Sequence, residues 1–580
     1  MSNVNITING LSCQAPVGST ILEAARLNGI EIPTLCWLRE INAIGSCRIC
    51  VVEVKGARGL VAACVHPIAE GMEICTNSQT VFQSRKANLE LILSTHDRKC
   101  LSCIRSGNCE LQKLCAAFSV DDETYYAGEN IPYDYDDSAV HMIRDNNKCI
   151  LCRRCVAACA QWQGVEVIGC NDRGFQTHIG SAYEANLGDV PCISCGQCIV
   201  VCPTGTIHEK DQTDEVWQAL ASPHKHVIIQ TAPSTRATLG EAFGMPIGAN
   251  VEGKMVAALR RVGFDAVFDT DVAADFTIME EAHELIERVQ NGGPFPLFTS
   301  CSPGWIKFCE HYYPELIPHL SSCKSPQQMF GALAKTWYAK KQNLDPKDIF
   351  VVGAMPCTAK KFEVQREDQA AAGVPDCDVA LTTREVARMI EKAGIRFAEL
   401  PDEKFDQPFG ESSGAADIFG ATGGVMEAAL RTAVESLTGE SLKEIDFHEV
   451  RGMDSIKEAS YSVHGLEIKV AVVSGMKNAK ALIERIQRGE ASYHFVEVMG
   501  CPGGCINGGG QPVQSAQVRN FVDLKSLRAA ALYAEDAAKT LRKSHENPIV
   551  KKVYAEFLEA PGSHTAHQVL HTSYKSRSRH

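Results

Sequence analysis

The chain has no apolar start headed by Arg or Lys, no twin-arginine stretch and no long uncharged apolar run. No export leader and no membrane span are expected, and residues 1–10 read as the opening of a mature domain. A basic excess is missing too: 57 Lys and Arg stand against 70 Asp and Glu, a formal net charge of -13. That balance argues against nucleic-acid binding and suits docking to positively patched proteins. The basic segment 575–580 reads as a solvated end. No Gly-x-Gly-x-x-Gly pattern lies between an expected strand and helix, so a nucleotide site has no support. Cysteine is abundant, with 26 in 580 residues. Many fall in CxxC-type groups, which reads as metal ligation in a reducing compartment, not as a disulfide scaffold. The length exceeds what one core serves, so a cytoplasmic protein of several domains is expected.

Residues 1–80 open with an alternating strand and turn over Asn5–Gly10, then a capped amphipathic helix over Ser19–Gly29. Strand, turn and helix before a cysteine loop suggest a β-grasp domain. Its cysteines run Cys36-x10-Cys47-x2-Cys50-x13-Cys64. Four thiolates suit a 2Fe–2S cluster because soft sulfur holds iron; the plain alternative is four unrelated buried cysteines. The spacing is not plant-type and resembles the 2Fe–2S domains of hydrogenase and complex I electron-input subunits. Cys13 and Cys75 read as small apolar residues.

Residues 81–135 carry His96-x3-Cys100-x2-Cys103-x5-Cys109. One imidazole and three thiolates suit zinc or a 4Fe–4S cluster, and spacing leaves both open. In the families just named, the same arrangement after the β-grasp domain binds 4Fe–4S. Cys115 reads as packed. Residues 136–212 carry Cys149-x2-Cys152-x2-Cys155-x3-Cys159 and Cys192-x2-Cys195-x2-Cys198-x3-Cys202-Pro203. This is the two-cluster ferredoxin signature, in which the fourth cysteine of each run serves the other cluster. Cys149, Cys152, Cys155 and Cys202 then hold one 4Fe–4S cluster; Cys192, Cys195, Cys198 and Cys159 hold another. Ala160 replaces the usual Pro after the first run, and Cys170 has no assignment. Four clusters serve as staples or as a wire in series, and redox-active groups favour the wire.

From His226 onward the pattern alternates short apolar strands with amphipathic helices, which predicts α/β domains with parallel sheets. Three cysteine segments follow apolar runs: Thr299–Trp305 after Pro296–Phe298, Met355–Glu363 after Ile349–Val352, and Glu497–Gly510 overlapping His494–Val498. Their cysteines, Cys301, Cys357, Cys501 and Cys505, are placed in loops at strand ends, where open α/β sheets put ligands. Gly420–Gly424 and Gly508–Gly510 read as turns or as close backbone approaches.

The three segments resemble the signature motifs of the iron-only (FeFe) hydrogenases, TSCCPxW, MPCxxKxxE and ExMxCxxGCxxGGGxP. The resemblance covers essentially the whole chain, because large bacterial members carry the same accessory clusters in the same order. It implies a catalytic domain over 213–580 and an H-cluster: a 4Fe–4S cube joined through a thiolate to a di-iron unit with CO, cyanide and a dithiolate. The implied reaction is reversible H2 oxidation and proton reduction. By motif position Cys357, Cys501 and Cys505 ligate the cube, with Cys505 bridging. Lys360 is implied as a donor to cyanide, Pro233 and Ser234 as cyanide-pocket residues, and Met355 and Met499 as apolar neighbours of the di-iron unit. The segment Ile278–Arg288 alone reads as a helix with a solvated stripe of Glu281, Glu284 and Arg288. Its resemblance to the family's relay helix makes Glu281, Ser321 and Glu284 proton carriers, with Arg288 at the exit and His283 off the path.

One position departs from the motif. Where two cysteines are usual, this chain has Cys301-Ser302. Either Ser302 ligates iron in the register of the lost cysteine and Cys301 remains the proton donor, or Cys301 turns to ligate. Adjacent side chains in extended backbone point to opposite faces, which favours the first reading.

The resemblance also implies partners. Electrons arrive through ferredoxin or through NAD(P)-oxidising flavin and iron–sulfur subunits in a hetero-oligomer, the chain standing as the catalytic subunit of an NAD(P)-linked hydrogenase. The alternatives are an H2 sensor, for which no output domain follows Gly510, and an electron-transfer subunit, which does not need the second and third motifs.

Overall fold

Alternating apolar residues build the first sheet. In the computed structural model, which describes residues 2–121, 130–442, 444–463 and 465–578, β1 (Asn3–Ile8) and β2 (Leu11–Pro16) form an antiparallel hairpin. With β3 (Val51–Val54), β4 (Val61–Ala62) and β5 (Glu73–Cys75) they make a five-stranded sheet ordered β2-β1-β5-β3-β4. The helix Ile21–Leu27 is capped by Thr20, one residue later than the sequence suggests, and Glu23 completes the capping box. Its Ile21, Leu22, Ala24 and Ala25 pack on Ile6 and Ile8 of the sheet, which is the β-grasp arrangement.

The helix Gln79–Ser94 then leads to the helix Glu110–Ala117, joined by Leu89, Leu93 and Leu111. Two short pairs frame the paired cysteine runs. These are β6 (Met142–Arg144) with β9 (Ile207–Glu209), and β7 (Gly169–Asn171) with β8 (His178–Gly180).

The catalytic half holds two sheets. Strands β10 (His226–Thr231), β11 (Ala266–Asp269), β13 (Ile349–Met355) and β14 (Val379–Thr382) are all parallel, in the order β11-β10-β13-β14. Ile228 and Val351 face one apolar cluster while Val227, Ile229 and Val352 face another. Burial on both faces explains why these strands read as continuous apolar runs. The second sheet, ordered β12-β17-β16-β15, joins β12 (Leu297–Phe298), β15 (Ile456–Val463), β16 (Leu466–Ser474) and β17 (Phe495–Met499), with only β15 antiparallel. β12, β13 and β17 release the three cysteine segments from their C-terminal ends.

Two expectations need correction. The helix expected over 278–288 runs over Asp271–Asn291, and it is not a solvated stripe at Glu281, which is 0% exposed. Nor is the basic end simply solvated. Buried Glu310 takes Arg577 Nε at 2.5 Å and Arg366 at 3.0 Å, and Arg577 lies over the Phe362 ring. Arg579 and His580 lie outside the described residues. Among the described residues no helix is long and apolar enough to cross a membrane.

Candidate active site and metal centres

The thiols of the N-terminal sheet face one another. Cys36, Cys50 and Cys64 are buried, and Cys36 pairs with Cys47 as Cys50 pairs with Cys64. In each pair the facing thiol lowers one member, Cys36 or Cys50, and raises the other, Cys47 or Cys64, the mark of thiols held close together. In the next unit Cys109 stands near Cys103, and Cys115 near both Cys109 and Cys100, within the apolar packing of Leu111 and Val120. His96 Nδ1 is buried with no hydrogen-bond partner, and burial lowers the imidazole to about 4. A neutral ring with an orphaned nitrogen has the chemistry of a metal ligand.

The paired runs interleave. Cys152 and Cys155 feel Cys202 of the second run, while Cys198 feels both Cys192 and Cys159. Burial pushes the Cys149 thiol up to about 12 and Cys159 up to about 11. Buried thiols of this kind resist ionisation without a cation, and bound iron supplies that charge. A cavity of about 30 Å³ is lined by Cys159, Cys192, Cys195 and Cys198. The donors thus fit the clusters the motifs imply. Cys170 is exposed and lies near Cys149.

Contacts between units are not those of a simple series. Asn42 Nδ2 donates to the Cys36 and Cys152 carbonyls at 2.7 and 3.0 Å. Arg105 donates to the Cys202 carbonyl at 2.9 Å, beside Cys103, whose thiol flanks Gly205. Both N-terminal groups therefore meet the Cys149–Cys152–Cys155–Cys202 group. The other ferredoxin group meets the catalytic half. Thr358 Oγ1 donates to the Ser194 carbonyl at 2.7 Å, and Gln197 Nε2 donates to the Asn507 carbonyl at 2.9 Å.

Cys357, Cys501 and Cys505 are brought together beneath these contacts. Burial raises all three thiols, and Cys357 acts on each of the other two. The Gly508–Gly510 segment makes the close approach possible. A Cβ at Gly508 would stand 2.1 Å from the Pro356 carbonyl oxygen, and one at Gly509 would stand 2.1 Å from that of Cys195. These glycines are packing requirements, not turn punctuation.

Ser302 Oγ accepts from Gly500 N–H at 3.1 Å, next to Cys501. The Cys301 thiol lies instead among Glu281, Cys505 and Lys360; burial, then Glu281, raises it well above the ordinary thiol value. Lys360 Nζ is 2.8 Å from Glu363 Oε2 and 3.4 Å from the Cys301 carbonyl. Met355 and Met499 are 2% exposed. Pro233 opens the short helix Pro233–Arg236, and Ser234 Oγ is buried without a partner. That orphaned hydroxyl, with Lys360, suits the anionic edge of a bound cofactor.

The expected relay converges on the same place. Glu281 receives Ser300 N–H at 3.4 Å and stands near Ser321; burial, then the nearby Glu284, pushes it up to about 8. Glu284 Oε1 takes Arg288 at 2.9 Å, and its Oε2 takes Ser322 N–H at 3.3 Å. His283 is exposed, off this line.

One residue of the site carries no motif legible in one sequence. Gln327 Oε1 is buried and unpartnered, and it would lie 2.7 Å from a Cβ at Gly353, beside Met355. Buried Glu497 fixes the 420–424 turn by accepting from Gly423 and Met426 N–H, each at 2.7 Å. Gly420 packs on Ser234.

The chain is similar to known proteins along its whole length. Residues 225–509 match the C-terminal domain of the iron only hydrogenase large subunit, and residues 522–577 match the iron hydrogenase small subunit. Residues 1–79 match a 2Fe–2S iron–sulfur cluster binding domain, and residues 85–124 match the NADH-ubiquinone oxidoreductase-G iron–sulfur binding region. The chain is 49% identical to the NADP-reducing hydrogenase subunit HndD of Solidesulfovibrio fructosivorans, over 100% of both chains. It is 44% identical to iron hydrogenase 1 of Clostridium pasteurianum, covering 98% of this chain and 99% of that one. Among solved structures, apo FeFe-hydrogenase HydA1 of Chlamydomonas reinhardtii superposes with a TM-score of 0.58 at 40% identity, covering 64% of this chain and 100% of that one.

Proposed function

The chain belongs to the iron-only hydrogenases, and from that premise we propose how its residues divide the work. The enzyme interconverts H2 with protons and electrons at an H-cluster, and its accessory iron–sulfur clusters relay the electrons. The alternatives of a sensor or a plain electron-transfer subunit are not favoured, since the full-length relatives are hydrogenases.

When bound, the di-iron unit supplies the site at which two protons and two electrons become H2. Cys357, Cys501 and Cys505 would hold the cube, with Cys505 also serving the di-iron unit. Ser302 would supply the remaining ligand as an oxygen, harder than thiolate. Cys301 keeps its thiol proton and exchanges it with Glu281. Lys360 and Ser234 donate to the cofactor's anionic edge, the Pro233 backbone lines it, and Met355 and Met499 exclude water. From Glu281 the proton passes by Ser321 to Glu284, with Arg288 at the surface. The observation that carries this division is the opposed placement of Ser302, bonded beside Cys501, and Cys301, facing Glu281 and Lys360.

Electrons reach the cube by a fork. Clusters held by Cys36, Cys47, Cys50 and Cys64 and by His96, Cys100, Cys103 and Cys109 would both stand beside the one held by Cys149, Cys152, Cys155 and Cys202, and the Cys192, Cys195, Cys198 and Cys159 ligands would hold the last cluster before the cube. The partners are NAD(P)-linked flavin and iron–sulfur subunits, with ferredoxin as a second donor, in a cytoplasmic hetero-oligomer. One relative's name as an NADP-reducing subunit and the small-subunit match at 522–577 support this. Full activity of the purified single chain with ferredoxin alone would weigh against obligate partners.

The test is infrared spectroscopy of matured protein. CO and cyanide bands with H2 evolution from a reduced dye are expected. Cys301→Ala should keep the bands and the cube signal and lose turnover. Loss of the cube in that variant would make Cys301 the ligand and reject the division above.

A further inference from the structure

A group of polar residues borders the relay without a part in it. Glu280 precedes Glu281 on the helix and is 1% exposed. Its Oε1 accepts from Tyr554 OH. Its Oε2 accepts from Gly562 N–H at 2.9 Å and lies 3.0 Å from His571 Nε2. On the other side of the ring, His571 Nδ1 is 2.8 Å from Ser322 Oγ. Ser322 is the residue whose N–H holds Glu284 Oε2. The His567 ring lies 4.0 Å from the His571 ring and faces solvent.

We propose that Ser322, His571 and His567 form a second proton port, which joins the relay at Glu284 and opens to solvent apart from Arg288. It rests on the relay reading given above. Glu284 stands at a fork, with Oε1 on Arg288 and Oε2 on the Ser322 N–H, 3.3 Å away. For an outgoing proton, the Ser322 O–H breaks as an N–H forms at His571 Nδ1, 2.8 Å away, and Ser322 Oγ recovers a proton from the Glu284 carboxyl when its side chain turns toward Oε2. The imidazolium so formed is held at Nε2 by Glu280, and a turn of its ring away from that carboxylate releases the proton on the side where the exposed His567 ring lies 4.0 Å away. Incoming protons take the reverse order. No electron moves in any of these steps.

Imidazole suits this task because it accepts at one nitrogen and releases at the other near neutral pH. Glu280 is a positioning residue: it fixes the ring and stabilises its cation. Other groups facing the pair are Glu284 and Glu287 of the same helix, Tyr554 and Cys323. His283 lies against Gly562 nearby. Burial, then His571, lowers His567, so it is mostly neutral at pH 7 and ready to accept.

The test uses matured full-length enzyme and four variants: Ser322→Ala, His571→Gln, His567→Gln and Glu284→Gln. H2 evolution is followed from pH 6 to 9 in H2O and D2O, with infrared bands as the check on the cofactor. The Arg288 exit stays open in the first three. Each should lose about threefold or more at pH 8, less at pH 6, with a larger solvent isotope effect and unchanged bands. Glu284→Gln should lose about 100-fold or more at every pH. Wild-type rates and pH profiles in the first three, with Glu284→Gln inactive, would remove the port and leave the relay standing. An active Glu284→Gln would overturn relay and port together. If His571→Gln fails to hold its clusters, the exposed His567 and the single hydroxyl of Ser322 decide.

Discussion

Replacing Glu281 by Gln should make the enzyme more stable and nearly inactive. The carboxyl is fully buried, and burial with the nearby Glu284 pushes it up to about 8 from an ordinary value of 4.5. Below 4.5 the group is protonated in both folded and unfolded chains and costs nothing. Between the two values the unfolded chain ionises while the folded one does not, and each pH step removes about 1.4 kcal/mol of stability. About 3 kcal/mol is then missing at pH 7 and about 5 kcal/mol above pH 8. Glutamine has the same shape and no charge. Its amide would stand where Glu281 Oε2 has no partner, which returns about 1–2 kcal/mol of the gain. A net gain of about 2 kcal/mol at pH 7 corresponds to about 2.5 °C in melting temperature for a unit of this size. Anaerobic calorimetry of matured protein at pH 6, 7 and 8 measures it. The gain should grow with pH while H2 evolution falls by about 100-fold or more. A variant that melts no higher than wild type at pH 8, or whose advantage is flat with pH, would refute the buried-acid argument.

Restoring the motif by Ser302→Cys gives the cube a fourth soft ligand, so iron loss to a chelator should slow and the cube's EPR signal should shift. An unchanged loss rate would mean that Ser302 does not face iron. Cys159→Ser should weaken or remove the signal of the Cys192 cluster and spare that of the Cys149 cluster. The reverse pattern would mean that the fourth cysteines do not cross over. Lys361→Met leaves buried Glu385 without the cation now 2.9 Å away, which should cost about 3–5 kcal/mol and show as a lower melting temperature.

Much of this is legible in the sequence because cluster ligands are local. CxxC spacings encode their own geometry, and a buried parallel strand announces itself as an unbroken apolar run, so the strand-end loops can be placed from the chain alone. Contact between distant segments cannot be read that way. Asn42 bridges Cys36 and Cys152 across 110 residues, and Gln197 reaches Asn507 across 310. Those contacts bring both N-terminal cysteine groups to the Cys149 group, where the sequence suggests a simple series. Charge patterning misleads for the same reason. Glu281, Glu284 and Arg288 look like a solvated stripe until the 297–323 region packs over them. The basic end looks free because its acceptor, Glu310, lies more than 260 residues away.

The serine at position 302 shows how far the fold constrains the chemistry. For Cys301 to take the cube position, the backbone of 301–302 would have to turn over. Several bonds oppose that turn. Thr299 is held twice, by Trp305 Nε1 to its carbonyl and by Val498 N–H to its hydroxyl, both at 3.1 Å. Ser300 Oγ donates to the Cys323 carbonyl at 2.7 Å, and Ser302 begins the helix Pro303–Tyr312 in extended conformation. At about 1 kcal/mol each, three such bonds outweigh a modest preference for sulfur only while that preference stays below about 3 kcal/mol. The identity of the fourth ligand is thus a contest between backbone fixation and metal softness. The double variant Cys301→Ala with Ser302→Cys separates them. If the backbone holds the register, cube stability should rise to that of Ser302→Cys alone while turnover stays lost. If Cys301 is the ligand, the double variant should lose the cube with it.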